Sequence, residues 1–317
     1  MNIVFLDRDT FSPKIRFPAE RLEGCGWREY PTTSAKQIVD RIQNTEIVLT
    51  NKVKLPGEIL RKMPQLKLIA ATATGVDNID VEYAGKNGIA VCNVRGYAQN
   101  SVAEHVFAML LTLRRNLVWY RKAVRRGAWT RSEVFCLQSY PMLDLAGSTL
   151  GIIGGGTLGK SVARLGGAFN MRVLMAEYRE APTVRPDRTP FDRVLRESDV
   201  ISLHVPLTAQ TRGIIGAREL AKMKPSAILI NTARGGLVDE QSLVDALRAG
   251  RLGGAAFDVL TQEPPPAEHP LLAADIPNLL VTPHIAWASL QAQQKLADEV
   301  VTNIDAFLRG KSRNRVV

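Results

Sequence analysis

Residues 148–169 read STLGIIGGGTLGKSVARLGGAF: an apolar run, a glycine-rich turn and an amphipathic stretch. Nothing else in the chain restricts its fold so far. In the spacing Gly154-x-Gly156-x-x-Gly159 the first glycine permits a tight turn, the second lets backbone approach a pyrophosphate, and the third lets a helix pack on a strand. Amides at the helix N-terminus then face the phosphates. A bare glycine triplet is weak evidence, and the alternative is a structural turn. The setting decides between them: a strand precedes the loop, the helix KSVARL follows it, and MRVLMA at 171–176 supplies the second strand. Glu177 closes that strand, roughly 20 residues on, where an acid accepts hydrogen bonds from a ribose 2′-hydroxyl. This favours NAD. Tyr178 and Arg179 follow, and an arginine turned toward a 2′-phosphate keeps NADP open.

The rest of the chain repeats the alternation of short β-branched runs with amphipathic stretches, the pattern of βαβ units and parallel sheets. Strands are expected near 2–6, 46–50, 67–71 and 89–92, then at 149–153, 172–176, 199–205, 226–231, 254–258 and 279–282. The fold class is α/β, with the second series forming a complete doubly wound dinucleotide domain. SAKQIVDRIQ (34–43) is a helix capped by Ser34, and Gly88 ends a helix that begins near Asn78. A long helix is expected over 99–123, with Val102, Val106, Met109, Leu110 and Leu113 on one face. It can serve as a crossover between domains, a dimer face, or both. Residues 127–147 have weak periodicity and read as an irregular arm. The last helix, about 288–309, has no strand after it, and packing it on the N-terminal region makes the first domain discontinuous.

The longest apolar run in a helical stretch, VFAMLLTL (106–113), falls far short of the roughly 20 residues that span a bilayer. Asp7, Arg8 and Asp9 interrupt the apolar N-terminus, which reads as a first strand and not as a secretory signal. Cys25, Cys92 and Cys136 share no metal or redox spacing and read as free thiols of a reducing compartment, which points to the cytoplasm. The formal charge of +10 admits nucleic acid, a membrane surface or small anionic ligands. The densest basic stretch, 114–131, carries interleaved aromatics but no nucleic-acid-binding motif, so it is read as a solvated helix end with an aromatic anchor.

Three segments carry the chemistry: ILINTARGGLVDE (228–240), GGAAFDVLTQEPP (253–265) and LLVTPHIAW (279–287). Each is a strand-like run ending in polar residues, and they deliver Arg234, Glu263 and His284 beyond successive strand ends. Ligands of open α/β sheets bind there. A guanidinium clasps a carboxylate with two parallel hydrogen bonds. Imidazole protonates a forming alkoxide near neutral pH, and an adjacent carboxylate fixes its tautomer and raises its pKa. Taken singly, each has a plainer reading: a surface arginine, a loop acid, a structural histidine. Together they form a site for an anionic substrate. His105, His204 and His269 read as inert, and no cluster has the spacing of a metal site.

NVRGYAQNSVAEHVFAMLL, the GGGTLG loop, LHVPLTAQTRGIIG, INTARGGLVDEQSL, FDVLTQEPP and TPHIAWAS together resemble the D-isomer-specific 2-hydroxyacid dehydrogenases. The likeness is strongest from Asn93 to Ser289, and the HIAW and GYAQNSVAEH segments resemble the glycerate dehydrogenase/hydroxypyruvate reductase branch. The resemblance implies two Rossmann-like domains. A flavodoxin-like substrate-binding domain is split between 1–97 and 288–317, and an NAD(P)-binding domain, 98–287, is inserted into it. It implies that Arg234 orients the substrate, that His284 is general acid in reduction and base in oxidation, and that Glu263 tunes it. Thr157 and Leu158 would lie on the pyrophosphate and Glu177 on the ribose. Val205, Pro206 and Thr211 would line the cofactor, and Thr232, Ala233 and Asp258 would lie near the nicotinamide. In the first domain, Thr74-Gly75-Val76 would offer amides to the carboxylate. Thr74 stands where many members carry a small residue, which bears on substrate size. A homodimer through the helix 99–123 and the arm 127–147 is also implied.

The expected reaction is hydride transfer between nicotinamide and C2 of a small 2-oxo acid, hydroxypyruvate or glyoxylate above all, or D-glycerate in reverse. The resemblance leaves two other readings: a non-catalytic NAD(H)-sensing module of the corepressor kind, and an enzyme acting on formate or phosphoglycerate.

Overall fold

The computed structural model describes residues 1–272 and 276–317. The chain divides into two compact units, Met1–Ala98 with Trp287–Val317, and Gln99–Ala286.

The first unit is built on β1 (Asn2–Phe5), β2 (Gly26–Glu29), β3 (Ile47–Thr50), β4 (Leu68–Ala71) and β5 (Ala90–Cys92), all parallel in the order β2-β1-β3-β4-β5. Alternate residues of a strand face opposite sides of a sheet, and both sides are covered here. Ile3, Phe5, Ile47 and Leu49 pack with Leu296, Val300 and Ile304 of the helix Leu290–Leu308. Val4, Leu6, Val48 and Ile69 pack on the other face with Ile38, Ile42 and Leu60. Strands buried on both faces read as continuous apolar runs, which is why β1, β3, β4 and β5 were legible. β2, the sequence GWRE, is a mostly exposed edge strand with no apolar run, and periodicity passes over it. At the end of β1, the buried Asp7 carboxylate accepts from the amides of Asn51, Lys52 and Val53 and fixes the loop after β3.

The expected helix 99–123 is two helices, Gln99–Arg114 and Leu117–Arg125. Asn116 breaks it with φ +51°, in the left-handed region, where asparagine is among the few residues tolerated. Its side-chain amide donates to the carbonyl of Pro141 at 2.5 Å. The Arg-Arg-Asn-Leu sequence holds no proline or glycine that would mark the break.

The second unit holds β6 (Thr149–Ile153), β7 (Arg172–Met175), β8 (Val200–Leu203), β9 (Ile228–Asn231), β10 (Gly254–Phe257) and β11 (Leu279–Val281). All are parallel, in the order β11-β10-β9-β8-β6-β7. Strand order reverses between β6 and β8, so the switch point, where open α/β sheets open a crevice for ligands, lies at their carboxyl ends. Burial of side chains such as Phe257 and Leu229, each contributing about 1.5–3 kcal/mol, holds this sheet rigid beneath its loops.

Candidate active site

The loop after β6 satisfies each demand of a dinucleotide turn. Gly154 has φ +109°, and a Cβ there would press on the backbone of His204 and Val205, which leave β8. Gly156 caps the helix Thr157–Ala168 and has open space where a Cβ would stand, so backbone is free to meet a ligand. A Cβ on Gly159 would collide with the carbonyl of Gly154. The first-turn amides, Thr157 and Leu158 among them, have no partner within an α-helix and carry the positive end of its dipole. The residues therefore fit a nicotinamide dinucleotide. Val205 and Pro206 follow β8, and Thr211 closes their turn by donating from Oγ1 to the Pro206 carbonyl at 2.6 Å.

Arg234, Glu263 and His284 leave the carboxyl ends of β9, β10 and β11, three neighbours in the sheet. Nδ1 of His284 lies 2.6 Å from Oε2 of Glu263. An ionised carboxylate only accepts, so Nδ1 carries the hydrogen and Nε2 is left to exchange a proton. The other oxygen of Glu263 accepts from the Leu260 amide at 2.9 Å, which fixes the carboxylate. Gly235 explains why a glycine follows Arg234. A Cβ there would run into the backbone of Leu260 and Thr261, so the arginine loop and the glutamate loop pack directly together. Asn231 steadies the arginine loop by donating to the Arg234 carbonyl at 2.8 Å and accepting from the Ala233 amide at 3.1 Å. Glu240 accepts from the Thr261 amide at 2.7 Å and stands 3.2 Å from Nε2 of the buried His269.

His284 itself has φ +55°, a left-handed conformation that costs a residue with a Cβ about 1–2 kcal/mol. Asp258 supplies the hydrogen bonds that offset it. Its carboxylate, 1% exposed, accepts from Thr282 Oγ1 at 2.6 Å, the Ile285 amide at 2.9 Å and the Ala286 amide at 2.8 Å. The Asp258 carbonyl takes the His284 amide at 2.8 Å. Asp258 thus holds the loop on both sides of the imidazole. Thr282 Oγ1, having given its hydrogen to Asp258, accepts from Nε2 of His105 at 3.0 Å. His105, read from sequence as inert, therefore buttresses the loop, across a separation that no local pattern reveals.

Thr232 Oγ1 is buried without a hydrogen-bond partner among the described residues, as suits a ligand-facing hydroxyl. Glu177 ends β7 where an acid was expected, but its side chain is only 2% exposed and both oxygens are occupied by Arg185 and by the amides of Tyr178 and Arg185. The hydrogen-bonded Arg185 guanidinium pulls its carboxyl down to about 2. Thr74, Gly75 and Val76 follow β4 in the first unit, and Thr74 Oγ1 donates to the Val94 carbonyl at 2.6 Å. His204 is half-buried, bonded through Nε2 to Ser202 Oγ, and desolvation of its ring lowers its pKa to about 4. No three His, Cys, Asp or Glu side chains among the described residues are grouped to hold a metal ion.

The chain is similar to known proteins over most of its length. The model of a family described as D-isomer specific 2-hydroxyacid dehydrogenase, NAD binding domain, matches residues 107–286. The glycerate dehydrogenase of Methylorubrum extorquens is 49% identical over 99% of this chain and 98% of its own. The hydroxypyruvate reductase of Blautia hydrogenotrophica is 36% identical over 90% of this chain and 88% of its own. Among solved structures, the D-lactate dehydrogenase of Aquifex aeolicus, complexed with NAD and lactic acid, superposes with a TM-score of 0.82 at 33% identity, covering 98% of this chain and 96% of the other.

Proposed function

Because this chain belongs to the D-isomer-specific 2-hydroxyacid dehydrogenases, NAD-linked oxidoreductases of hydroxy and oxo acids, we propose that it reduces hydroxypyruvate or glyoxylate, or oxidises D-glycerate. The 2.6 Å contact between Nδ1 of His284 and Glu263 carries this reading, because it leaves Nε2 to serve as the acid.

In the reducing direction, the Arg234 guanidinium clasps the carboxylate of the 2-oxo acid with two charge-assisted hydrogen bonds. That interaction orients the neighbouring carbonyl. Nicotinamide, when bound, supplies or accepts the hydride at C2. As negative charge grows on the carbonyl oxygen, the Nε2–H of His284 gives up its proton to it. Glu263 holds the ring through Nδ1–H, which fixes its orientation and leaves Nε2 toward the substrate oxygen. In oxidation the same nitrogen removes the hydroxyl proton. Gly156 and the amides of Thr157 and Leu158 take the pyrophosphate. Val205, Pro206 and Thr211 flank the cofactor, and Thr232, Ala233 and Asp258 lie toward its nicotinamide. We assign 98–287 to cofactor binding. The split unit, 1–97 with 288–317, is assigned to substrate binding through Thr74, Gly75 and Val76.

The test is a substrate panel of hydroxypyruvate, glyoxylate, pyruvate, formate and phosphoglycerate, followed by nicotinamide absorbance. Turnover on hydroxypyruvate or glyoxylate above the others is expected. Exclusive action on formate or phosphoglycerate would overturn the substrate assignment.

We further infer a homodimer. Helix Leu117–Arg125 and the arm after it expose Leu117, Val118, Trp129, Val134 and Phe135, the last 90% exposed. An apolar surface of this kind suits a subunit contact. Light scattering should return twice the 34.8 kDa chain mass. The cysteines are all free thiols, which suits the cytoplasm.

A further inference from the structure

We propose that Arg188 forms a 2′-phosphate subsite at the adenosine-ribose end of the dinucleotide, so that the chain takes NADPH in preference to NADH. The proposal rests on the dinucleotide reading of the glycine loop and deepens it.

Two observations carry it. The first is the state of Glu177. An acid at the end of the second strand ordinarily accepts from the ribose diol and repels a 2′-phosphate. Here Oε1 takes the Tyr178 amide at 2.9 Å and Arg185 Nη2 at 2.5 Å, while Oε2 takes Arg185 Nε at 2.7 Å and the Arg185 amide at 3.1 Å. A carboxylate oxygen has about two acceptor sites, and all are filled. Buried and matched by a two-toothed guanidinium, Glu177 neither reads a diol nor repels a phosphate. It fixes the segment from Tyr178 to Arg185, which leads to Arg188.

The second observation is where that segment ends. Thr189 runs beside the end of β7: its amide donates to the Met175 carbonyl at 2.8 Å, and its carbonyl accepts from the Glu177 amide at 2.8 Å. The preceding residue, Arg188, lays its guanidinium against Gly155, where a Cβ on that glycine would overlap it. Its side chain is 11% exposed, and its Nε is buried without a hydrogen-bond partner among the described residues. Asp187 Oδ2 lies 3.4 Å from that nitrogen, beyond a good hydrogen bond, and is 75% exposed, so solvent weakens its hold on the guanidinium. A largely buried guanidinium with a donor left without a hydrogen bond among the described residues is suited to an anion. The pyrophosphate belongs to the helix amides that begin at Thr157. Arg188 reaches the loop from the segment beside β7, the strand whose end serves the adenosine ribose in dinucleotide domains. Arg179 is paired with Glu219 at 2.8 Å.

Calorimetry on the full chain separates the contributions. Adenosine 2′,5′-bisphosphate should bind the native chain at least about tenfold more tightly than 5′-AMP. R188A and R188Q should both erase that difference, with melting temperatures near native and NADH affinity within about threefold. NADPH fluorescence titration should show the same loss. Equal binding of the two nucleotides by the native chain would overturn the proposal. So would an equal weakening of NADH and NADPH in both variants, which would make Arg188 a pyrophosphate contact. Failure of the native chain to bind either dinucleotide would instead overturn the cofactor reading of the glycine loop, and the proposal with it.

Discussion

At the scale of single residues, the site is a division of labour between charge and posture. Arg234 brings charge, and its loop is steadied by Asn231 and by the close approach of Gly235 to Leu260. R234A should lower kcat/KM for the 2-oxo acid roughly 10- to 100-fold, the worth of a hydrogen bond to a charged group, and cofactor affinity should stay native. R234K should not restore it, because an ammonium cannot form the paired bonds. Steady-state kinetics on the three proteins decide this, and native saturation by the oxo acid in R234A removes Arg234 from substrate binding. The placement of Arg234, Glu263 and His284 beyond three neighbouring strand ends was legible in sequence because an apolar run precedes each. The left-handed backbone of His284, the buried clamp of Asp258 and the prop from His105 were not. They depend on contacts between residues distant in sequence, such as His105 and Thr282, which no spacing rule encodes. Glu177 was legible as an acid at a strand end, but its engagement by Arg185 was not.

At the scale of elements, strands buried on both faces announced themselves and exposed ones did not. β6 and β8 to β10 are fully buried and lie where apolar runs placed them. The edge strand β2 carries no apolar run and the helix break at Asn116 no glycine or proline, and only tertiary contacts define them. The loop from Thr282 to Ala286 is an element of its own, held by one carboxylate. D258A leaves two amides and a hydroxyl to find new partners, which should destabilise the second unit by at least about 2 kcal/mol and lower turnover. D258N keeps one acceptor and should fall between D258A and the native chain. Urea denaturation beside activity checks the order. A D258A protein with native stability and turnover contradicts the assignment of Asp258 as the loop's clamp.

At the scale of the whole molecule, acid sensitivity should appear in two separate windows. His204 has a folded pKa of about 4, below the ordinary value near 6.5. Between those values the unfolded chain binds a proton that the folded chain refuses, so stability falls as pH falls through this range. The full loss is on the order of 3 kcal/mol. Glu177, held down to about 2, contributes stability that persists above the ordinary carboxylate range and is lost only as pH falls below it toward 2. Denaturation at pH 7 and pH 5 should show a drop that H204Q largely removes. An identical drop in H204Q would exclude His204 as its source.

In the proposed mechanism His284, held by Glu263, moves the proton. The measurement that reaches it most directly pairs turnover with cofactor binding in H284A. Turnover on the best 2-oxo acid should fall about 10²- to 10⁴-fold, while NADH and NADPH titrate with native affinity. Native turnover in H284A, with the protein folded and the cofactor bound, would contradict the account.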